Sequence, residues 1–95
     1  MQVRVLPVGE AHFEAAADLT RRLREAGYRA EVAEPTDTIG KRIRAAELDK
    51  IPFTVVYGDR ESDESLAVRE RGGEQSTLSL SELLARLEPL LPSDT

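Results

Sequence analysis

The sequence has no cysteine, which removes disulfide frameworks, thiolate zinc sites and dithiol redox chemistry at once. It has a single histidine, His12, so His-rich metal sites are excluded and a Ser-His-Asp triad has only that imidazole to use. Near the start of a helix, His12 reads as a surface or capping residue rather than a base. The longest apolar runs are a handful of residues, far short of the roughly 20 that a membrane helix needs. No signal-peptide pattern opens the chain, because Met1 leads directly into "QVRVLPV", and the expectation is a cytoplasmic protein. Neither a Walker loop nor G-x-G-x-x-G occurs, so a nucleotide-phosphate cradle is unsupported. No repeat or internal linker interrupts the 95 residues, and a chain this short buries only about 60–65% of its unfolded surface. A single domain over residues 1–91 follows, with a simple core, no deep substrate cavity, and a loose tail at 92–95.

What is present is ordinary soluble globular composition, 40% apolar and 33% charged. The net charge of −5 argues against indiscriminate nucleic-acid binding through a general basic surface. Its distribution is uneven. Residues 38–60 hold five bases (Lys41, Arg42, Arg44, Lys50, Arg60) against three acids (Glu47, Asp49, Asp59), a net of +2, and the rest of the chain carries −7. On charge alone, such a segment is an ordinary solvated helix face or a site for an anionic partner.

"QVRVLPV" (2–8) alternates and reads as a strand. Residues 10–26 read as a helix, with Phe13, Ala16, Leu19, Leu23 and Ala26 at three- and four-residue spacings, an Asp18–Arg22 pair on the wet side, and Gly27 positioned to end it. "YRAEVAE" (28–34) is a short strand closed by Pro35, and Thr36 or Asp37 is placed to cap a helix over about 38–49. "PFTVVYG" (52–58) suits a central strand covered on both faces. "SLAVRER" (65–71) and "EQSTL" supply two more strands around Gly72-Gly73. "SLSELLARLEPLL" carries the Ser79–Glu82 capping box and a stripe of Leu80, Leu83, Leu84 and Leu87, with Pro89 and Pro92 ending it. The order predicts an α/β sandwich: a parallel three-strand core with right-handed crossovers, plus later strands that include an opposite direction.

In the basic helix, steps of 100° place Ile43 and Ala46 within about 40° of Ile39 as a buried face, with Lys41, Arg44 and Leu48 pointing away. That outer face suits a partner with charge and flat apolar surface. Gly40, in the first turn, costs roughly 0.5–1 kcal/mol relative to Ala. Its return is either close approach of a ligand beside backbone N–H groups or helix–sheet packing against the missing Cβ. "GDRESDE" groups acids at a strand end, but the spacing lacks the glycine and terminal Glu of an EF-hand loop, so no metal site is assigned. No catalytic set and no cofactor site is assigned either.

"VRVLPVGEAH", "LREAGYRAEV", "TIGKRIRAAELDKIPFTVVYGDRE", "VRERGGE" and "LSLSELLARL" occur in that order. Together they resemble the C-terminal anticodon-binding domain of threonyl-tRNA synthetase, a class II aminoacyl-tRNA synthetase, over residues 2 to about 91. The run I-G-K-x-I-R-x-A-x-L-x-K-I-P-F followed by G-D-x-E is the specific part. The resemblance implies a three-layer α/β sandwich, its mixed, mostly parallel five-stranded sheet flanked by three helices. It also implies a non-catalytic role in translation, gripping the anticodon of threonine tRNA, with neither DNA nor membrane as partner and with a catalytic domain in cis or trans. Glu61 and Arg69 match family residues that contact anticodon bases; Arg donates in pairs to guanine O6 and N7, and a carboxylate accepts from guanine N1–H and N2–H₂. Lys41, Arg42, Arg44 and Lys50 are the residues expected to meet phosphate or stack on a base, with Gly40 allowing close approach.

Three departures stand against that pattern. Pro35-Thr36-Asp37-Thr38 replaces the usual Arg-Asn-Glu-Lys, so an amide and a lysine that hold the anticodon are missing. The loop between Glu61 and Arg69 is one residue short and unusually acidic. The chain as given begins at the domain's first strand, so aminoacylation is not expected of it alone. A free-standing paralogue serving as a protein-interaction or regulatory module is the alternative reading.

Overall fold

The computed structural model describes residues 2–34, 38–59, 61–62, 64–71 and 73–90. The expected tail at 92–95 and the expected caps Thr36 and Asp37 lie outside that set.

Five strands and three helices follow one another as β1 (Val3–Pro7), α1 (Phe13–Glu25), β2 (Ala30–Val32), α2 (Ile39–Leu48), β3 (Phe53–Tyr57), β4 (Leu66–Glu70), β5 (Gln75–Leu78) and α3 (Leu80–Leu87). Short 3-10 turns at Glu10–His12 and Glu88–Leu90 flank α1 and α3. The strands form one sheet in the order β2-β1-β3-β4-β5. β1 pairs in parallel with β2 and β3, while β3–β4 and β4–β5 are antiparallel. Four strands therefore run one way and β4 alone runs back, the mixed, mostly parallel sheet expected.

Alternation along the strands sorts the two faces. Val3, Val5, Ala30, Phe53, Val55, Leu66 and Val68 pack against Ala16, Leu19 and Leu23 of α1 and Leu83 and Leu87 of α3. The opposite face belongs to α2. Its first half donates from Arg42 to the carbonyls of Pro7 and Val8, and Asp49 at its end accepts from Arg4 at 2.9 Å. α2 therefore runs antiparallel to β1, which is what a β-α-β crossover requires, and the layers stack as helices, sheet and helix.

The helix ends are set by local hydrogen bonds. Gly27 (φ 98) closes α1, where Tyr28 N–H reaches Leu23 O at 3.1 Å and Gly27 N–H reaches Arg24 O at 3.0 Å. Both halves of the Ser79–Glu82 capping box form at 3.1 Å. At the start of α2, Thr38 accepts from Lys41 N–H at 3.3 Å, so the helix starts one residue later than expected and the position of the missing family lysine is used for capping.

Candidate nucleic-acid interface

α2 covers β1 and part of β3 but leaves the β3-β4-β5 side of its face open. Half-buried Val56 and Ala67, with exposed Gln75 and Thr77, line a shallow depression together with Ile43 and Arg69. Beside it, a cleft of about 370 Å³ runs between α2 and β4, lined by Ile43, Glu47, Ile51, Thr54, Arg69 and Glu70, with Arg71 and Gly73 at its end. That volume lies near the lower end of small-ligand sites. Arg69 belongs to both depressions, because it sits on β4 directly opposite Thr54 and its side chain rises on the α2 side.

The candidate residues separate into three groups. Lys41 and Arg44 are exposed on the outer side of α2, with Leu48 (76% exposed) beside them, as the helical spacing predicts. Lys50 is exposed too, but in an unexpected backbone state, with φ 57. It fills the left-handed position after the C-cap of α2, where its N–H bonds Glu47 O at 3.1 Å and Ile51 N–H bonds Ala46 O at 3.0 Å. Glycine normally takes that position; a lysine there carries backbone strain.

Arg42 corrects its expected role. Only 6% exposed, it turns its guanidinium inward onto the Pro7 and Val8 carbonyls at the end of β1. It braces helix against strand rather than presenting a cation to phosphate. The buried residues of α2 are Arg42 and Ala46, and Ile43 is half-buried at the cleft wall. Gly40 answers the question its position raised: an added Cβ would meet nothing within 4 Å, so helix–sheet packing does not require the glycine.

Glu61 and Arg69, paired by sequence, engage different partners. Gly58 N–H donates to Glu61 Oε1 at 3.1 Å, which folds the loop after β3 back on the strand end. A Cβ on Gly58 would come within 2.8 Å of Val8 Cγ2 and 3.4 Å of Glu61 Oε1, so glycine is what lets this loop close. Thr54, opposite Arg69, and Gly58 are four residues apart, about 13 Å along a strand. The carboxylate beside Arg69 is Glu47, whose Oε1 lies 3.4 Å from Arg69 Nη2. His12 holds the N-cap position of α1 without a capping bond, and its Nε2 lies 3.0 Å from Asp59 Oδ1, tying the turn before α1 to the loop after β3. Among the described residues, no group of three His, Asp or Glu is placed to hold a metal ion. No helix among them is long and apolar enough to cross a membrane.

With its mixed five-stranded sheet and three helices the fold is a small α/β domain, and the profile of the anticodon binding domain matches residues 2–90; the chain belongs to that family. Threonine–tRNA ligase of Caldivirga maquilingensis is 48% identical over 88 residues, which cover 92% of this chain and 14% of that ligase. The ligase of Geobacillus kaustophilus is 44% identical over 90 residues, again 92% of this chain and 14% of the relative. A solved structure of the RNA binding domain of threonyl-tRNA synthetase from Cryptosporidium parvum Iowa II superposes with a TM-score of 0.85 at 28% identity, over 98% of this chain and 24% of that one. The chain is thus homologous to the anticodon-binding domain of threonyl-tRNA synthetase, and spans about a seventh of the length of the curated relatives.

Proposed function

We propose that this domain binds the anticodon stem-loop of threonine tRNA, and that its role is recognition rather than catalysis. The observation that carries the reading is Arg69, raised on the open sheet face beside a cleft of about 370 Å³, in a chain homologous to a synthetase's anticodon-binding domain. Lys41, Arg44 and Lys50 are exposed cations along α2 and its end, suited to phosphate. Phosphate contacts set position and base contacts set sequence, so the two groups have separate roles. Glu61, in the loop after β3, is the second residue of this reading that meets an anticodon base.

The face offers no aromatic platform among the described residues. Tyr28, Phe53 and Tyr57 pack on the opposite, helix-covered side of the sheet, and Phe13 is on α1. Bases are therefore recognised here mainly by hydrogen bonds on their edges, with the aliphatic cleft walls and Arg planes as the surfaces to stack on.

The test is titration of a labelled threonine anticodon stem-loop at low salt, against a stem-loop with the anticodon scrambled. The expected result is tighter binding of the cognate loop. Equal binding of both, or none of either, would show that this face does not read an anticodon.

A further inference from the structure

We propose that His12 is a positioning residue for RNA binding: held against Asp59, its imidazolium fixes the turn after β3 that presents Glu61, and anticodon affinity rises as the imidazole gains a proton. This rests on the RNA-binding reading above and deepens it with a residue that acts through the loop rather than on the RNA.

The turn is built on the ends of two parallel strands. Val8 N–H donates to Tyr57 O at 2.8 Å, so the extensions of β1 and β3 stay paired at their ends. Gly58 fits against Val8, and Glu61 N–H donates to Gly58 O at 3.2 Å, closing residues 58–61 into a turn. Gly58 N–H donates in return to Glu61 Oε1 at 3.1 Å, so the direction of the carboxylate follows the conformation of the turn. Asp59 holds the second position of that turn. Its side chain is 93% exposed, and His12 Nε2 lies 3.0 Å from its Oδ1. His12 is only 19% exposed, in the Glu10–His12 turn that leads into α1, and makes no side-chain capping bond there. The imidazole is thus the fixed member of the pair and the carboxylate the one it restrains. A pair this open to solvent adds little to global stability, so its effect is local to the turn.

Composition makes this tie titratable. His12 is the only histidine and the chain has no cysteine, while the other side-chain types ordinarily titrate outside about pH 6–8. Imidazolium against carboxylate is an attraction between full charges. Neutral imidazole offers Nε2 either as an uncharged donor or as an acceptor turned towards another acceptor. The charged groups around His12 are Glu10 in its own turn, Glu14 in the first turn of α1, and Asp59 and Glu61 in the loop. Further along α1, Asp18 and Arg22 pair at 3.1 Å and line a hollow with Tyr57, Ser62 and Glu64, and Arg42 reaches the Val8 carbonyl from α2. An RNA that needs Glu61 in one direction binds in proportion to the fraction of molecules that hold the turn that way. That fraction falls when the imidazole loses its charge.

The experiment titrates wild type, His12→Gln, Asp59→Asn and Glu61→Gln with the cognate and scrambled stem-loops at about pH 6 and about pH 8, at constant ionic strength. His12→Gln keeps a neutral donor and removes no cap, and urea midpoints at both pH values verify each fold. Wild type should bind the cognate loop roughly three- to fivefold more tightly at the lower pH, the difference between a charge-assisted and a neutral contact, with no such change for the scrambled loop. All three variants should bind the cognate loop with an affinity nearly independent of pH, for want of a titrating ring, a charged acceptor or a presented carboxylate. A flat wild-type profile that still discriminates cognate from scrambled overturns the role of His12 and leaves anticodon binding intact. So does a pH effect equal for both loops, or one that survives in Asp59→Asn, since either would put the imidazolium on phosphate. A pH effect that survives in Glu61→Gln overturns the link to that carboxylate. Failure of wild type to prefer the cognate loop at both pH values overturns the anticodon reading and the role of His12 together.

Discussion

Replacing Lys50 by glycine should make the domain more stable, although it deletes a side chain from a basic helix end. Lys50 holds φ 57 because the two hydrogen bonds that close α2, from its own N–H to Glu47 O and from Ile51 N–H to Ala46 O, require a left-handed residue there. Buried Ile51 fixes the register by packing beneath the helix end. The left-handed conformation costs an L-residue about 1–2 kcal/mol, and glycine removes that term. Glycine also brings back about 0.5–1 kcal/mol of unfolded-state entropy, so the net gain is roughly 0.5–1 kcal/mol. In a domain this small, that corresponds to about 2–8 °C in Tm. Gly27 is the control, since it occupies the equivalent position after α1 with φ 98. Gly27→Ala should lose roughly 0.5–1 kcal/mol by the same reasoning run backwards. Urea denaturation of the three proteins measures both effects. A lower midpoint for Lys50→Gly, or no penalty for Gly27→Ala, would refute the assignment of strain. Because Lys50 is also proposed to meet phosphate, the more stable Lys50→Gly protein should bind all stem-loops more weakly.

Ile43→Ala should cost about 1–2 kcal/mol, less than the roughly 2–5 kcal/mol of a fully buried isoleucine, because Ile43 is a half-buried cleft wall. A loss above about 4 kcal/mol in urea would mean that α2 packs more deeply than described. Arg42→Met keeps the apolar stem but leaves the Pro7 and Val8 carbonyls without this donor, and should cost about 1–3 kcal/mol. A change in midpoint too small to measure would show that the brace is not needed.

The fold was legible where one residue type answers a local demand. Gly27 marks the left-handed end of α1, Ser79 and Glu82 cap α3 reciprocally, and the β-branched and aromatic run at 53–57 marks the sheet's central strand. Where the demand was met by an unusual residue, the pattern was silent. Lys50 does what glycine usually does, and Arg42, about 60° from Ile39 around the helix, lies on the buried side despite its charge. Reading the helix by residue type assigned Arg42 to solvent; reading it by angle places the guanidinium where the Pro7 and Val8 carbonyls receive it. The site was half legible. Arg69 and the exposed cations Lys41 and Arg44 stand where a ligand can reach them. The Glu47–Arg69 contact joins residues 22 apart on different elements, and no spacing rule encodes such an approach. Gly58 is similar, because its need for a missing Cβ comes from Val8, on the neighbouring strand's extension.

The most direct test of anticodon reading is the cognate-to-scrambled affinity ratio of wild type, Arg69→Ala and Lys41→Ala, measured across a salt series. If Arg69 reads a base, Arg69→Ala weakens the cognate loop by about 1–3 kcal/mol and brings the ratio towards one. Lys41→Ala instead weakens both loops equally, leaves the ratio unchanged, and reduces the slope of log affinity against log salt by about 0.7. An unchanged ratio in Arg69→Ala, or a ratio already near one in wild type, would contradict base recognition on this face.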